Sequence, residues 1–231
     1  SITTGIIADG LVFNMDAANR ASYVPDAATS YNTIDLSQSG SLQDTGMYSS
    51  GDSGTWAFDG VDDYIDTNDT FLPDFVSVFV WVKGTATSVA SWSYTIVVRP
   101  DLPYGRSPFS LIWNGGAMYA KVQLQSTSDA ANGVLSQTST ISSIANGNWH
   151  CVGLTFNGPS LKFYLNGVQA QEKLTSSITN AVNGPLWPQS NINYGVDTKT
   201  IKIGTNDAAS NSFDGNIGPV HIYNRALSAT E

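Results

Sequence analysis

The sequence predicts an all-β fold built from two stacked antiparallel sheets, and three observations predict it. Short apolar or alternating runs recur along the whole chain, each bounded by turn residues. The chain holds 21 Gly, and its acids are lopsided, with Asp far outnumbering the two glutamates, Glu172 and Glu231. Asp favours turns and caps whereas Glu favours helix interiors. Finally, no segment before the C-terminal residues carries a helical period.

The elements follow in order. Leu11–Met15 is the first strand, and Asp16–Leu42 is a long polar stretch with little periodicity. Thr55–Phe58 and Val61–Asp66 flank Asp59-Gly60, a dipeptide that supplies the positive φ angles of a type I′ hairpin turn. Phe75–Lys83 is apolar on both faces, as a strand covered on both sides would be. Trp92–Arg99, Phe109–Trp113 and Ala117–Leu124 come next, the last two separated by Asn114-Gly115-Gly116.

Asn148–Phe156 and Ser160–Asn166 are joined through Asn157-Gly158-Pro159. In the second of these, Leu161, Phe163 and Leu165 alternate with Lys162, Tyr164 and Asn166, the pattern of a half-buried strand. Asn166-Gly167 closes a further hairpin, and Thr200–Gly204 and Asn216–Tyr223 complete the set. The alternation places Trp56, Phe58, Trp81, Trp149 and Phe163 in the core. A helix begins only at the C-terminus, where Ser228 to Glu231 fit a capping box. That start without a helix behind it predicts a natural polypeptide continuing past Glu231.

At 231 residues, 41% hydrophobic and 13% charged, the chain can bury a substantial core. Sandwiches of this length are routinely one domain, and neither a repeat nor a Pro- or Ser-rich linker divides residues 1–231. The formal net charge of −9 lacks the basic footprint of a nucleic-acid partner and is scattered, as suits solubility. Cys151 is the only cysteine, which excludes an intrachain disulfide and reads as a buried inert thiol. Ser1–Gly10 has no basic start, and no apolar run reaches membrane-spanning length. The expectation is a protein made without a classical signal and with no membrane insertion.

Catalytic constellations are not found. A retaining glycosidase needs two carboxyl groups about 5 Å apart, and the two glutamates are far apart at positions 172 and 231. Asp62 and Asp63 are adjacent, and neighbouring strand residues point to opposite faces. His150 and Cys151 are splayed for the same reason, and His150 and His221 read as sheet-face or core histidines. Neither a nucleophile elbow nor a phosphate-binding glycine loop occurs. The expectation is no enzyme, and no cofactor is required.

Sugar recognition calls for exposed rings on which a CH face can stack, with polar groups for the hydroxyls. Loop aromatics meet that description at Trp187, at Tyr104 beside Arg106, and at Trp92 and Tyr94. These five residues are the candidate glycan-binding set.

Four blocks, in this order, carry a family resemblance: Gly10–Ala17, Trp56–Ile65, Leu161–Val168 and Gly215–Leu227. Within them and between them stand Phe58–Tyr64 (FDGVDDY), Trp149 with Val152, Phe163–Gly167 (FYLNG) and Ile222–Ser228 (IYNRALS). One departure is Met15 where the family pattern has Leu. Together they resemble the laminin-G-like, concanavalin-A-like jelly roll over nearly the whole chain.

The resemblance implies a two-sheet jelly-roll sandwich whose first and last blocks pair. It also implies recognition and adhesion in preference to catalysis, as in lectin-like modules and structural proteins of tailed bacteriophages. The expected setting is extracellular or on a virion surface; an absent leader suits the virion setting, because virion proteins assemble inside the host cell. The expected partner is a surface glycan, or other copies within a virion or filament assembly; a self-assembling capsid-decoration or fibre subunit is the alternative reading. Many relatives hold calcium at the sandwich rim, and this chain offers hard oxygen ligands in Asp16, Asp62, Asp63, Asn206, Asp207 and Asp214.

Overall fold

A computed structural model describes residues 5–44, 46–85, 94–99, 107–114, 116–129, 133–142, 144–187, 200–205 and 212–231. The strands begin with β1 (Leu11–Met15), β2 (Thr29–Tyr31), β3 (Ser39–Leu42), β4 (Tyr48–Ser49), β5 (Thr55–Asp59) and β6 (Ile65–Thr67). They continue with β7 (Val76–Lys83), β8 (Tyr94–Arg99), β9 (Phe109–Asn114), β10 (Ala117–Ser126), β11 (Val134–Gln137) and β12 (His150–Phe156). The last are β13 (Ser160–Leu165), β14 (Val168–Leu174), β15 (Ala181–Leu186), β16 (Lys202–Ile203) and β17 (Asp214–Tyr223).

These strands form two sheets. The first runs β14-β13-β12-β7-β17-β5-β4. Its long strand β17 pairs with β7 on one side, while β5 takes the N-terminal half and β1 the C-terminal half of the other. The second runs β11-β10-β9-β8-β16-β6-β3-β2, with β15 also paired to β10. The first and last of the four blocks therefore meet as neighbours, Phe13 opposite Ile222 and Met15 opposite Val220.

The period of two in β7 decides what lies between the sheets. Val76, Val78, Val80 and Val82 are fully buried and belong to the core. Val152, Leu154 and Phe156 of β12 join them from one side, and Ile217, Val220 and Ile222 of β17 from the other. Phe109, Leu111 and Trp113 of β9 and Met118, Ala120, Val122 and Leu124 of β10 close the core from the second sheet. Trp113 meets Phe213 edge-on with ring centroids 5.5 Å apart.

Four sequence expectations need correction. The opposite row of β7, Ser77, Phe79, Trp81 and Lys83, is not roofed along its length, and Trp81 is 43% exposed. Asp59-Gly60 does not close a hairpin: only Gly60 has positive φ, β5 lies in the first sheet and β6 in the second. That turn carries the chain between layers. The polar stretch after Asp16 contains β2 and β3, short strands whose pairing rests on backbone ladders that polar side chains do not advertise.

The fourth concerns the C-terminus, where residues 228–231 form a turn and not a helix. Glu231 does reach back to the Ser228 N–H at 2.9 Å, but a single turn cannot offset helix nucleation. By contrast, Asn166 and Gly167 both take positive φ, 52° and 80°, and join β13 to β14 as expected of a type I′ turn.

Candidate functional site

A cleft of about 360 Å³ opens on the outer face of the first sheet, lined by Asp16, Asp52, Thr55, Trp81, Trp149 and Gly218 among others. Its size is at the small end for ligand sites, which span about 300–1,000 Å³. Trp81 projects from β7, and Trp149 immediately precedes β12.

A bulge in β17 makes room for both rings. Ile217 pairs with Val82 and Val220 with Val80, so Gly218 and Pro219 together stand opposite Trp81. Pro219 has no N–H to contribute to a ladder, which a bulge tolerates. A Cβ on Gly218 would lie 3.2 Å from Trp81 Cβ and 3.7 Å from Trp149 Cζ3. The missing side chain is what lets the two indoles share the space.

The other wall comes from the turn before β5. Asp52 and Ser53 both sit in the left-handed region, at φ 53° and 72°, although neither is glycine. Such backbone costs of order 1–3 kcal/mol per residue and concentrates at functional sites. Gly54 packs beneath it, where a Cβ would come within 3.1 Å of Ala18 Cα.

The strained turn aims Asp52 at the tryptophans. Its carboxylate accepts from Lys83 Nζ at 2.8 Å. That bond first, and the neighbouring Trp149 indole second, hold the Asp52 carboxyl below the ordinary aspartate range. The Lys83 ammonium lies 5.8 Å from the Trp149 ring centroid, within cation–π reach. Asp16 Oδ1 accepts the Ala18 N–H at 2.9 Å. Nearby, burial pulls the His221 imidazole below its ordinary pKa, opposed by the Asp16 charge.

A second cluster lies in the turn after β5. One carboxylate oxygen from each of Asp59, Asp62 and Asp63 lies within 4.8 Å of the others. Residues 61–64 are not extended strand, so Asp62 and Asp63 converge where an alternating strand would splay them. Asp63 is 5% exposed; its Oδ2 accepts the Asp59 N–H at 2.9 Å, and its buried Oδ1 has no partner. Burial raises the Asp63 pKa.

The residues singled out from sequence fall in several places. Asp62 and Asp63 come together with Asp59, which sequence reasoning did not select, and Asp214 is the register partner of Asp59. Asp16 lies apart from them, in the tryptophan cleft. Trp187 follows β15, is 8% exposed, and packs where Gly133 leaves space beside its ring. Tyr94 opens β8 opposite Trp113. Trp92, Tyr104, Arg106, Asn206 and Asp207 lie outside the described residues.

Trp81 and Trp149, read from sequence as core, are instead exposed and half-buried. No local signal separates the two readings, because Phe79 and Trp81 on the second face of β7 form the same pattern under a covering layer as facing solvent.

The family described as the concanavalin A-like lectin/glucanases superfamily matches residues 59–231. The chain belongs to that superfamily. No curated protein matches this laminin-G-like chain in sequence.

Three solved structures illustrate how widely this superfamily's fold recurs. The binding domain of botulinum neurotoxin serotype D superposes with a TM-score of 0.65 at 16% identity, over 98% of this chain and 51% of that one. Domain 4 of AbnA, a GH43 extracellular arabinanase from Geobacillus stearothermophilus, was solved in complex with arabinotriose. It gives 0.58 at 17% identity, covering 95% of both chains. A Trypanosoma rangeli sialidase in complex with the inhibitor DANA gives 0.63 at 11% identity, over 99% of this chain and 33% of that one. The chain thus spans about half of the toxin domain and a third of the sialidase. At these identities the likeness is one of fold.

Proposed function

We propose that this chain is a non-catalytic recognition and adhesion module that binds a glycan in the cleft between Trp81 and Trp149. The observation that carries the reading is a solvent-facing indole, Trp81 at 43% exposure, set in a walled cleft beside two carboxylates. A sugar's CH face stacks on such a ring while its hydroxyls donate to the acids. The whole-length likeness to an arabinanase domain solved with arabinotriose supports it.

A binding role is favoured over hydrolysis by the electrostatics of the cleft. A glycosidase acid needs a raised pKa, whereas Lys83 and the Trp149 indole hold Asp52 as an anion. Recognition is favoured over self-assembly by the edge strand β14, where Glu172 and Lys173 put charge on the exposed border. The setting that fits is display outside a cell or on a virion, with glycan as partner.

Calcium is the proposed ion of the rim. Asp59, Asp62 and Asp63 would hold it, and it would supply the partner that the buried Asp63 Oδ1 lacks. Calcium should raise the melting temperature of the wild type over that in chelator and leave Asp63→Asn unmoved; equal melts of the wild type would remove the ion.

A glycan array of wild type and Trp81→Ala tests the main reading. Wild-type binding that the variant loses, with matching circular dichroism, supports it. An array blank for both proteins ends it.

A further inference from the structure

The charges of the tryptophan cleft are largely matched from within. Lys83 is committed to Asp52 at 2.8 Å and stands 5.8 Å from the Trp149 ring centroid, so the cation position over that ring is filled by the protein itself. Among the described residues the lining holds two carboxylates, Asp16 and Asp52, and the Lys83 ammonium bonded to Asp52 offsets one of them. What faces an incoming molecule is therefore the Trp81 ring, carboxylate acceptors and a slight excess of negative charge.

Resting on the glycan reading above, we infer that the cleft selects an uncharged saccharide and rejects acidic ones such as sialylated or uronic-acid glycans. A carboxylate entering the cleft would meet Asp16 and Asp52 and find the nearest ammonium already bonded. Like charges brought together in a partly desolvated site are disfavoured, and they exclude wrong partners more than they strengthen right ones. The protein's net charge of −9 acts in the same direction at long range.

A quaternary ammonium is kept off the Trp149 ring for a different reason, since it would have to displace Lys83 from both that ring and Asp52. A neutral sugar meets neither obstacle. Its hydroxyls donate to Asp16 and Asp52, which accept without giving up the Lys83 pair, because a carboxylate has about four lone-pair sites. Its CH face lies on Trp81.

Titration calorimetry decides this with matched probes: arabinotriose, lactose and cellotriose against 3′-sialyllactose and trigalacturonate, with choline as the cationic probe. Wild type, Trp81→Ala and Trp81→Phe are compared, the Phe variant preserving a ring should the Ala variant fold poorly. The expected result is binding of at least one neutral saccharide, weakened about tenfold or more in Trp81→Ala, about 1.4 kcal/mol, and less in Trp81→Phe. The acidic probes should bind at least about tenfold more weakly than that neutral saccharide. An acidic saccharide bound as tightly, and lost in Trp81→Ala, overturns the inference while leaving the glycan reading intact. Choline as the sole bound probe, or no bound saccharide at all, overturns both.

Discussion

Asp52 and Lys83 form a 2.8 Å ion pair that ties a left-handed turn to the outer face of β7. Lys83 in turn stands 5.8 Å from the Trp149 ring centroid, so one exposed aspartate holds the ammonium that faces the ring. Positioning the binding surface is the pair's main consequence, since exposed ion pairs add little to stability.

Asp52→Asn, which keeps a side chain suited to the left-handed backbone at φ 53°, should therefore leave the urea midpoint nearly unchanged while weakening saccharide binding several-fold. The pH dependence has a definite sign. Asp52 is depressed in the fold, so its contribution is complete above the ordinary aspartate pKa of about 4 and fades as pH falls through the folded value. Affinity measured from pH 7 downward should stay flat to about pH 4 and then drop.

His221 makes a different prediction. Its folded pKa is lowered, mainly by burial, with Asp16 pulling the other way. The neutral imidazole is the form the fold favours, so stability is complete above the unfolded pKa of about 6.5 and declines as pH falls below it. Urea unfolding should show that decline between about pH 6.5 and 5, and His221→Asn should flatten it.

Gly153 is fixed by the aromatic row outside the first sheet. It pairs with Phe79 of β7, and a Cβ there would run into the Phe79 ring. Phe79 also packs on Tyr164, with centroids 6.2 Å apart, so it has little freedom to retreat. Gly153→Val should cost about 1–3 kcal/mol by urea unfolding; a neutral result would mean that the row is plastic.

Trp187→Ala separates packing from binding. The residue is buried, and its backbone N–H donates to the Gln123 carbonyl at 3.0 Å. Truncation should cost about 3–5 kcal/mol of stability and leave the affinity of the folded protein unaltered. Lost affinity at unchanged stability would move the glycan site to this loop.

Much of the fold was legible because its signals are local. Alternation in Leu161–Leu165 requires nothing beyond a neighbouring layer, and Asn166-Gly167 requires only positive φ at two residues. The candidate site was not legible in the same way. A strand such as β7, with valines on one side and Phe79 and Trp81 on the other, reads identically whether its second face is roofed or open. Asp52 gives no sequence signal at all, since its role depends on a turn that meets Lys83 from 31 positions away.

By itself the sequence determined the two layered sheets and many of their strands, because period and turn chemistry act between near neighbours, while the pairing of the first block with the last came from the family resemblance. Only the tertiary structure decided that Trp81 faces solvent, that Gly218 and Pro219 bulge to admit two indoles, and that Asp59, Asp62 and Asp63 converge. Those outcomes depend on which face of a sheet is left uncovered and where a strand slips register. Long-range packing sets both.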